Sequence, residues 1–331
     1  MLKRLLRFGI GIVAFVPVVI GVLLLMFFSW RSGIIERREL DPDRQIVTTK
    51  LGDIEFAVIG EGIPFLSIHG TPGGYDQGLV GIRAIPGNAP ENTMTIAVSR
   101  PGYRGTPLSS GPTFEEQADL FAALLDELEV ESAVIFAASG GGYAGLQFAI
   151  RHPDRTLGLI LYAPEINAEV GMAPESERLL EDTRAQVFMA EFGMWLLGER
   201  LASTMIRDFD PADVSQQQMI VKTIESSIPW GGRDEGRLND LRQRMNPAID
   251  DWPLEAISAP TLFLHGTADE SSAYEASRDA ASRIPNAELI TFEGGDHFMI
   301  VSRRREVEGY IRSFTQAVAS EAVDRSVDRV E

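Results

Sequence analysis

Cysteine is absent from this 331-residue chain, which excludes disulfides, thiolate catalysis and cysteine-ligated metals. Histidine is scarce. The four present, His69, His152, His265 and His297, are scattered, and no cluster has metal-ligand spacing. The glycine-rich segment from Gly140 to Gly145 lacks the lysine of a phosphate loop and is not followed by a ribose-binding acid, so no cofactor is implied. Net positive charge is missing too. The formal charge is −18, and residues 1–50 carry a balance of +4, which leaves −22 for the remainder. So acidic a body repels nucleic acid, and no dense block of lysine or arginine argues for a dedicated lipid switch. No internal repeat or low-complexity tract stands out.

What the chain does have is apolar content, 44% hydrophobic residues with 8% aromatic, enough for a sizeable core. Its most concentrated stretch runs from Phe8 to Trp30 without a charge, preceded by Lys3, Arg4 and Arg7 and followed by Arg31, Arg37 and Arg38. At roughly 1.5 Å per residue it spans a hydrocarbon core of about 30 Å. A cleaved signal peptide has a shorter apolar region and a small-x-small site, whereas Phe27-Phe28-Ser29-Trp30 is bulky. Residues 1–30 are therefore expected to form an uncleaved membrane anchor, with the bilayer contacting residues 8–30. Basic residues on both flanks leave its orientation open. Residues 31–48, charged and with a turn at Asp41-Pro42-Asp43, read as an irregular stalk.

From Thr49 onward, strand and helix patterns alternate. Apolar runs at 54–59, 64–68, 93–98, 133–136 and 157–162 read as strands. Thr113-Phe114-Glu115-Glu116 is a capping box opening an amphipathic helix through Phe121, Leu124, Leu125 and Leu128. Residues 164–259 change to helical stretches rich in methionine and tryptophan, which reads as a helical insertion. Its Met and Trp side chains could line a pocket, although core packing is the commoner use. The strand rhythm resumes over 260–264 and 287–292, and a last helix covers 307–318, followed by a charged, frayed tail over 320–331. Alternation predicts an α/β fold with a mostly parallel twisted sheet, helices on both faces and a site at the carboxyl ends of the strands. The core would comprise residues 49–163 and 260–319.

Each chemically suspicious residue lies just past such a strand end. Ala137-Ala138-Ser139-Gly140-Gly141 is a variant of G-x-S-x-G, in which a serine on a strained strand-to-helix turn exposes its hydroxyl. Serine is a poor nucleophile unless an imidazole takes its proton and a carboxylate fixes that imidazole's tautomer. Ser139, Asp269 and His297 follow the order nucleophile, acid, base that accompanies this turn. Glu270, Asp296 and Glu165 compete with Asp269 as the acid. The backbone N–H groups of Gly140 and Thr71 are candidates for an oxyanion hole.

These segments together resemble the α/β-hydrolase fold superfamily over residues 50–319. The resemblance rests on His69-Gly70-Thr71-Pro72-Gly73, Arg100-Pro101-Gly102-Tyr103, the turn at Ser139, His265-Gly266-Thr267-Ala268-Asp269 and Gly295-Asp296-His297-Phe298. The first of these looks like the loop of proline iminopeptidase-like and related ester hydrolases, whose helical cap lies where this chain has its insertion. Three positions depart from the pattern: Ala137 in the turn, Ser99 where an acidic residue is usual, and Arg104-Gly105 where glycine usually comes first. The resemblance implies a serine hydrolase acting on small ester or amide substrates. An aminopeptidase, with Glu175, Glu177 or Glu181 holding the substrate amine, and a catalytically silent binding protein on the same fold are the alternatives. Oligomeric state is not readable.

Overall fold

The computed structural model describes residues 2–80, 92–168, 184–229 and 233–328. Residues 169–183 of the insertion, with Met172 and the cap acids Glu175, Glu177 and Glu181, lie outside them, as does Trp230. Helix α1 (Leu2–Glu39) holds the long apolar stretch, and its 16–39 portion is long and apolar enough to cross a membrane. The irregular stalk expected over 31–48 is not observed. α1 runs on to Glu39, and an edge strand β1 (Arg44–Thr49) pairs antiparallel with β2 (Gly52–Ile59). Tertiary contacts explain both. Arg38 donates to Asp76 at 2.8 Å and to the carbonyls of Glu225 and Ile228, fixing the helix end against the body. Hydrogen bonds to β2 turn the short apolar pair Ile46-Val47 into a strand that its own pattern hardly announces.

Strands β3 (Ile63–Ile68), β4 (Thr93–Val98), β5 (Ala133–Ala138), β6 (Thr156–Tyr162), β7 (Thr261–Gly266) and β8 (Ala287–Phe292) complete one sheet in the order β1-β2-β4-β3-β5-β6-β7-β8. β4 pairs antiparallel with β2, and from β4 to β8 every pairing is parallel. The central strands are buried on both faces, as continuous runs such as Ala133-Val134-Ile135-Phe136 require. After the short α2 (Tyr75–Gly78) comes α3 (Phe114–Glu127), which opens on the predicted capping box. Thr113 accepts from the Glu116 amide while Glu116 reaches back to the Thr113 amide. It packs beside α4 (Gly142–Arg151), burying Phe121, Leu124 and Leu125 in the main core.

Between β6 and β7 the chain is helical, with α5 (Arg184–Met205, broken at Gly198), α6 (Val214–Ser227) and α7 (Asp234–Arg244). Then come α8 (Tyr274–Arg283), the short α9 (Met299–Ser302) and α10 (Arg304–Asp328). Residues 320–328 are helical rather than frayed, since good helix formers such as Glu321 and Ala322 simply prolong α10.

Candidate active site

At the carboxyl end of β5 the chain turns within a few residues into α4, and Ser139 sits at the turn with φ of 49°. A non-glycine residue in this left-handed region stores roughly 1–3 kcal/mol of strain, so surrounding packing must impose it. That packing is close. A side chain at Gly70 would come within 2.9 Å of the Ser139 Cβ, and one at Gly141 within 2.7 Å of the His69 carbonyl oxygen. The Ala137 methyl, anomalous for this turn, faces Gly145 one helical level into α4, where an added Cβ would lie 2.6 Å from it. The missing glycine has thus moved from the strand to the helix.

β7 and β8 deliver the other two residues. Asp269 Oδ2 accepts from His297 Nδ1 at 2.8 Å and lies 3.2 Å from His265 Nε2. Its second oxygen accepts the amides of Ser271 and Ser272. Burial alone would raise the Asp269 pKa, but hydrogen bonds from His265 and His297 outweigh it and hold the carboxylate well below the usual range. The competing acids sit elsewhere. Glu270 is exposed, Asp296 accepts from the amides of Arg207 and Phe298, and Glu165 is ion-paired with Arg244. The Ser139 hydroxyl donates to Glu165 Oε1 at 3.4 Å, so Glu165 touches the serine rather than orienting the histidine.

Among the described residues, Ser139, His297 and Thr71 line one cavity of about 470 Å³, whose walls include Phe65, Phe136, Met219, Phe298 and Ile311. Met219 is at once cavity wall and cap core, where it packs on Ile220 and Val301. Gly140 opens a helical turn, whose first amides have no partner within the helix. A Cβ on Gly140 would lie 2.6 Å from Thr71 Oγ1, so the two candidate oxyanion positions face each other.

A scan of family models matches residues 65–309 to the "Alpha/beta hydrolase family". The chain belongs to that family. Among the relatives of this alpha/beta hydrolase, the uncharacterized hydrolase YcgS of Bacillus subtilis is 25% identical over 283 residues, covering 81% of this chain and 96% of its own. An alpha/beta hydrolase fold protein from Nakamurella multipartita superposes with a TM-score of 0.66 at 32% identity, over 81% of this chain and 99% of its own. A bacterial membrane phospholipase A shares the fold at a TM-score of 0.60 and 21% identity, over 95% of this chain and 99% of its own.

Further residues of this alpha/beta hydrolase surround the site without a sequence signature of their role. Arg100, fully buried, donates from both terminal nitrogens to Asp240 of α7 at 2.9 and 2.6 Å. Asp240 Oδ2 also accepts from Tyr103 at 2.6 Å and from Thr71 at 3.1 Å. Burial, with the Asp240 charge beside it, pushes the Tyr103 pKa up, so this phenol remains a donor. Arg233, which caps α7, and Gly236, Asp240 and Arg244 within it recur at helical spacing on one face that grips the loops around the site. Arg233 donates to the Gly73 carbonyl, Gly236 lies against the Tyr103 ring, and Arg244 pairs with Glu165. His69 Nε2 accepts from the Arg100 amide and Nδ1 donates to the Gly70 carbonyl. Burial, reinforced by the Arg100 charge, holds its pKa well below the ordinary value, so His69 stays neutral and structural.

The odd residue Ser99 has its explanation in β2. Ser99 donates at 2.6 Å to Glu55, which also accepts from Arg44, Arg104 and the Gly105 amide. Burial opposes ionisation of Glu55, but Arg104 and the donors Ser99 and Arg44 lower its pKa all the same. The carboxylate expected at position 99 is supplied from the neighbouring strand.

Proposed function

We propose that this protein is a membrane-anchored serine hydrolase that cleaves carboxylic esters through an acyl-enzyme on Ser139. The observation that carries the reading is the 2.8 Å hydrogen bond from His297 Nδ1 to Asp269, beside a cavity that Ser139 shares. With its Nδ1 proton held by Asp269, His297 presents the lone pair of Nε2. Nε2 takes the hydroxyl proton as Ser139 Oγ attacks the acyl carbon, and the amides of Thr71 and Gly140 receive the oxyanion. His297 then protonates the departing alcohol. A water molecule, deprotonated by the same nitrogen, releases the acid and regenerates Ser139.

Two observations favour an ester over an aminoacyl amide. Glu165, the carboxylate touching the nucleophile, is already neutralised by Arg244 and offers no free charge to a substrate ammonium. The cavity walls are mainly aromatic and aliphatic, which suits an acyl chain. Alignment with the membrane phospholipase A over 95% of this chain supports a more specific reading, in which the ester is that of a membrane lipid. A fluorophosphonate probe, which reacts with activated serines, is expected to label the full-length protein and to leave Ser139→Ala unlabelled. Persistent labelling of that variant would refute the assignment. A panel of p-nitrophenyl esters and glycerophospholipids would then rank acyl length and headgroup.

A further inference from the structure

Helix α5 has two apolar faces that point in different directions. Phe188, Phe192 and Trp195 meet Phe27 of α1 at ring-centroid distances of 5.5, 5.3 and 5.8 Å. Glu191, on the same face and nearly fully buried, binds Arg31 of α1 at 2.7 Å. These positions follow the i, i+3, i+4, i+7 pattern of one helical stripe. Met189, Leu196 and Leu197 form a second stripe with Gly193, and the three side chains are 62%, 52% and 49% exposed. An added Cβ at Gly193 would meet nothing within 4 Å, so this face is open. An apolar stripe of that size, on an apolar segment (187–198) too short to span a bilayer, needs a partner.

Its depth identifies the partner. α5 grips α1 between Phe27 and Arg31, where the uncharged stretch ends, and Leu25, Met26 and Phe28 of α1 are themselves at least half exposed. Phe28 also contacts Phe188, with ring centroids 6.1 Å apart, which holds α5 alongside the exposed end of the uncharged stretch. We infer that α5 is a membrane-docking helix, whose Met189–Leu196–Leu197 face lies in the interfacial zone of the bilayer that α1 crosses. A helix of this kind rests in the interface plane with its apolar side buried about 5–10 Å into the headgroup and acyl boundary. α5 packs on α6, whose Met219 and Thr223 line the catalytic cavity, so docking places one cavity wall next to lipid. The inference rests on the anchored reading given above.

The absence of cysteine makes the test direct, because one introduced thiol is the sole labelling site. Leu25→Cys, Met189→Cys, Leu197→Cys and, on α8, Glu275→Cys are labelled with bimane. The full-length proteins are reconstituted in phosphatidylcholine and phosphatidylglycerol vesicles with or without brominated acyl chains, and ester turnover at the wild-type rate verifies each fold. Quenching at positions 189 and 197 of at least about half that at 25, with none at 275, is expected for an interfacial helix. Quenching at 25 without quenching at 189 and 197 would overturn the docking and leave the anchor standing. No quenching at 25 would overturn the anchored reading itself. Shielding of position 197 from water without lipid quenching, together with disulfide cross-links between two copies of the unlabelled Leu197→Cys variant, would assign the face to a second copy and overturn the inference.

Discussion

Replacing Asp240 by asparagine should damage this protein more than any other isosteric change in the cap. The carboxylate accepts four hydrogen bonds, two from Arg100, one from Tyr103 and one from Thr71, and the Arg100 and Asp240 side chains are 0% and 3% exposed. Asparagine removes the charge and turns an NH₂ donor toward a guanidinium or phenol that itself needs an acceptor. Breaking one partner of a buried pair leaves the other charge uncompensated, a loss of about 3–5 kcal/mol. Urea unfolding of the detergent-solubilised full chain, followed by tryptophan fluorescence, measures it as a lowered midpoint. A paired Arg100→Met/Asp240→Leu variant should recover much of the stability, because a well-packed apolar pair restores no charge but orphans none. Catalysis should not recover with it. Thr71 loses the Asp240 carboxylate in both variants, and on the proposed mechanism misplacing this oxyanion donor costs on the order of 10²–10³ in kcat, with KM little changed. An Asp240→Asn protein within about 1 kcal/mol of wild type would mean that the pair is not closed in solution. The hold of α7 on the loop carrying Thr71 would then be refuted.

Asp269→Asn should lower kcat by about 10⁴, as loss of the tautomer-fixing carboxylate does. Because the folded-state pKa of Asp269 is depressed, its contribution to stability is full above the unfolded value of about 3.9 and is lost as pH falls toward the folded one. Acid titration by circular dichroism should therefore show a shallower stability decline below about pH 4 in Asp269→Asn than in wild type; parallel declines would contradict the depressed pKa. Gly145→Ala should destabilise by roughly 1–3 kcal/mol through overpacking against Ala137. Ala137→Gly alone should keep activity, and the double variant should regain most of the lost stability; an additive double mutant would show that the two positions are not the contact that matters.

The central strands and the mostly parallel sheet could be anticipated because fully buried parallel strands announce themselves as runs such as Val134-Ile135-Phe136 and Leu262-Phe263-Leu264. The turn at Ser139 and the pairs following β7 and β8 could be anticipated because their geometry demands small or specific residues at fixed short spacing. Contacts between distant segments left no such trace. Asp240 lies 140 positions from Arg100, inside a strongly polar helix whose pattern resembles any solvated surface. Glu55 replaces the carboxylate missing at Ser99 from another strand, so the substitution looks like a loss when position 99 is read alone. β1 was hidden for a related reason, since Arg44 to Thr49 becomes a strand by pairing with β2 and by the bond from Arg44 to Glu55.

In the anchored reading, the continuity of α1 into the body also sets a mechanical limit on what this protein can reach. A flexible tether of the length of residues 31–48 would let its cargo roam over about 25 Å and tumble freely. Here the helix continues through Arg31, Arg37 and Arg38, and those side chains are bolted to Glu191, Glu225 and Asp76. For a body carried on such a strut, height and tilt over the bilayer are set at folding rather than sampled afterwards. Scissile bonds at one depth come within range of Ser139, and those lying deeper or farther out do not, whatever their chemistry. On that reading the anchor works as a depth gauge, and the length of its rigid part becomes a determinant of which bonds are cut.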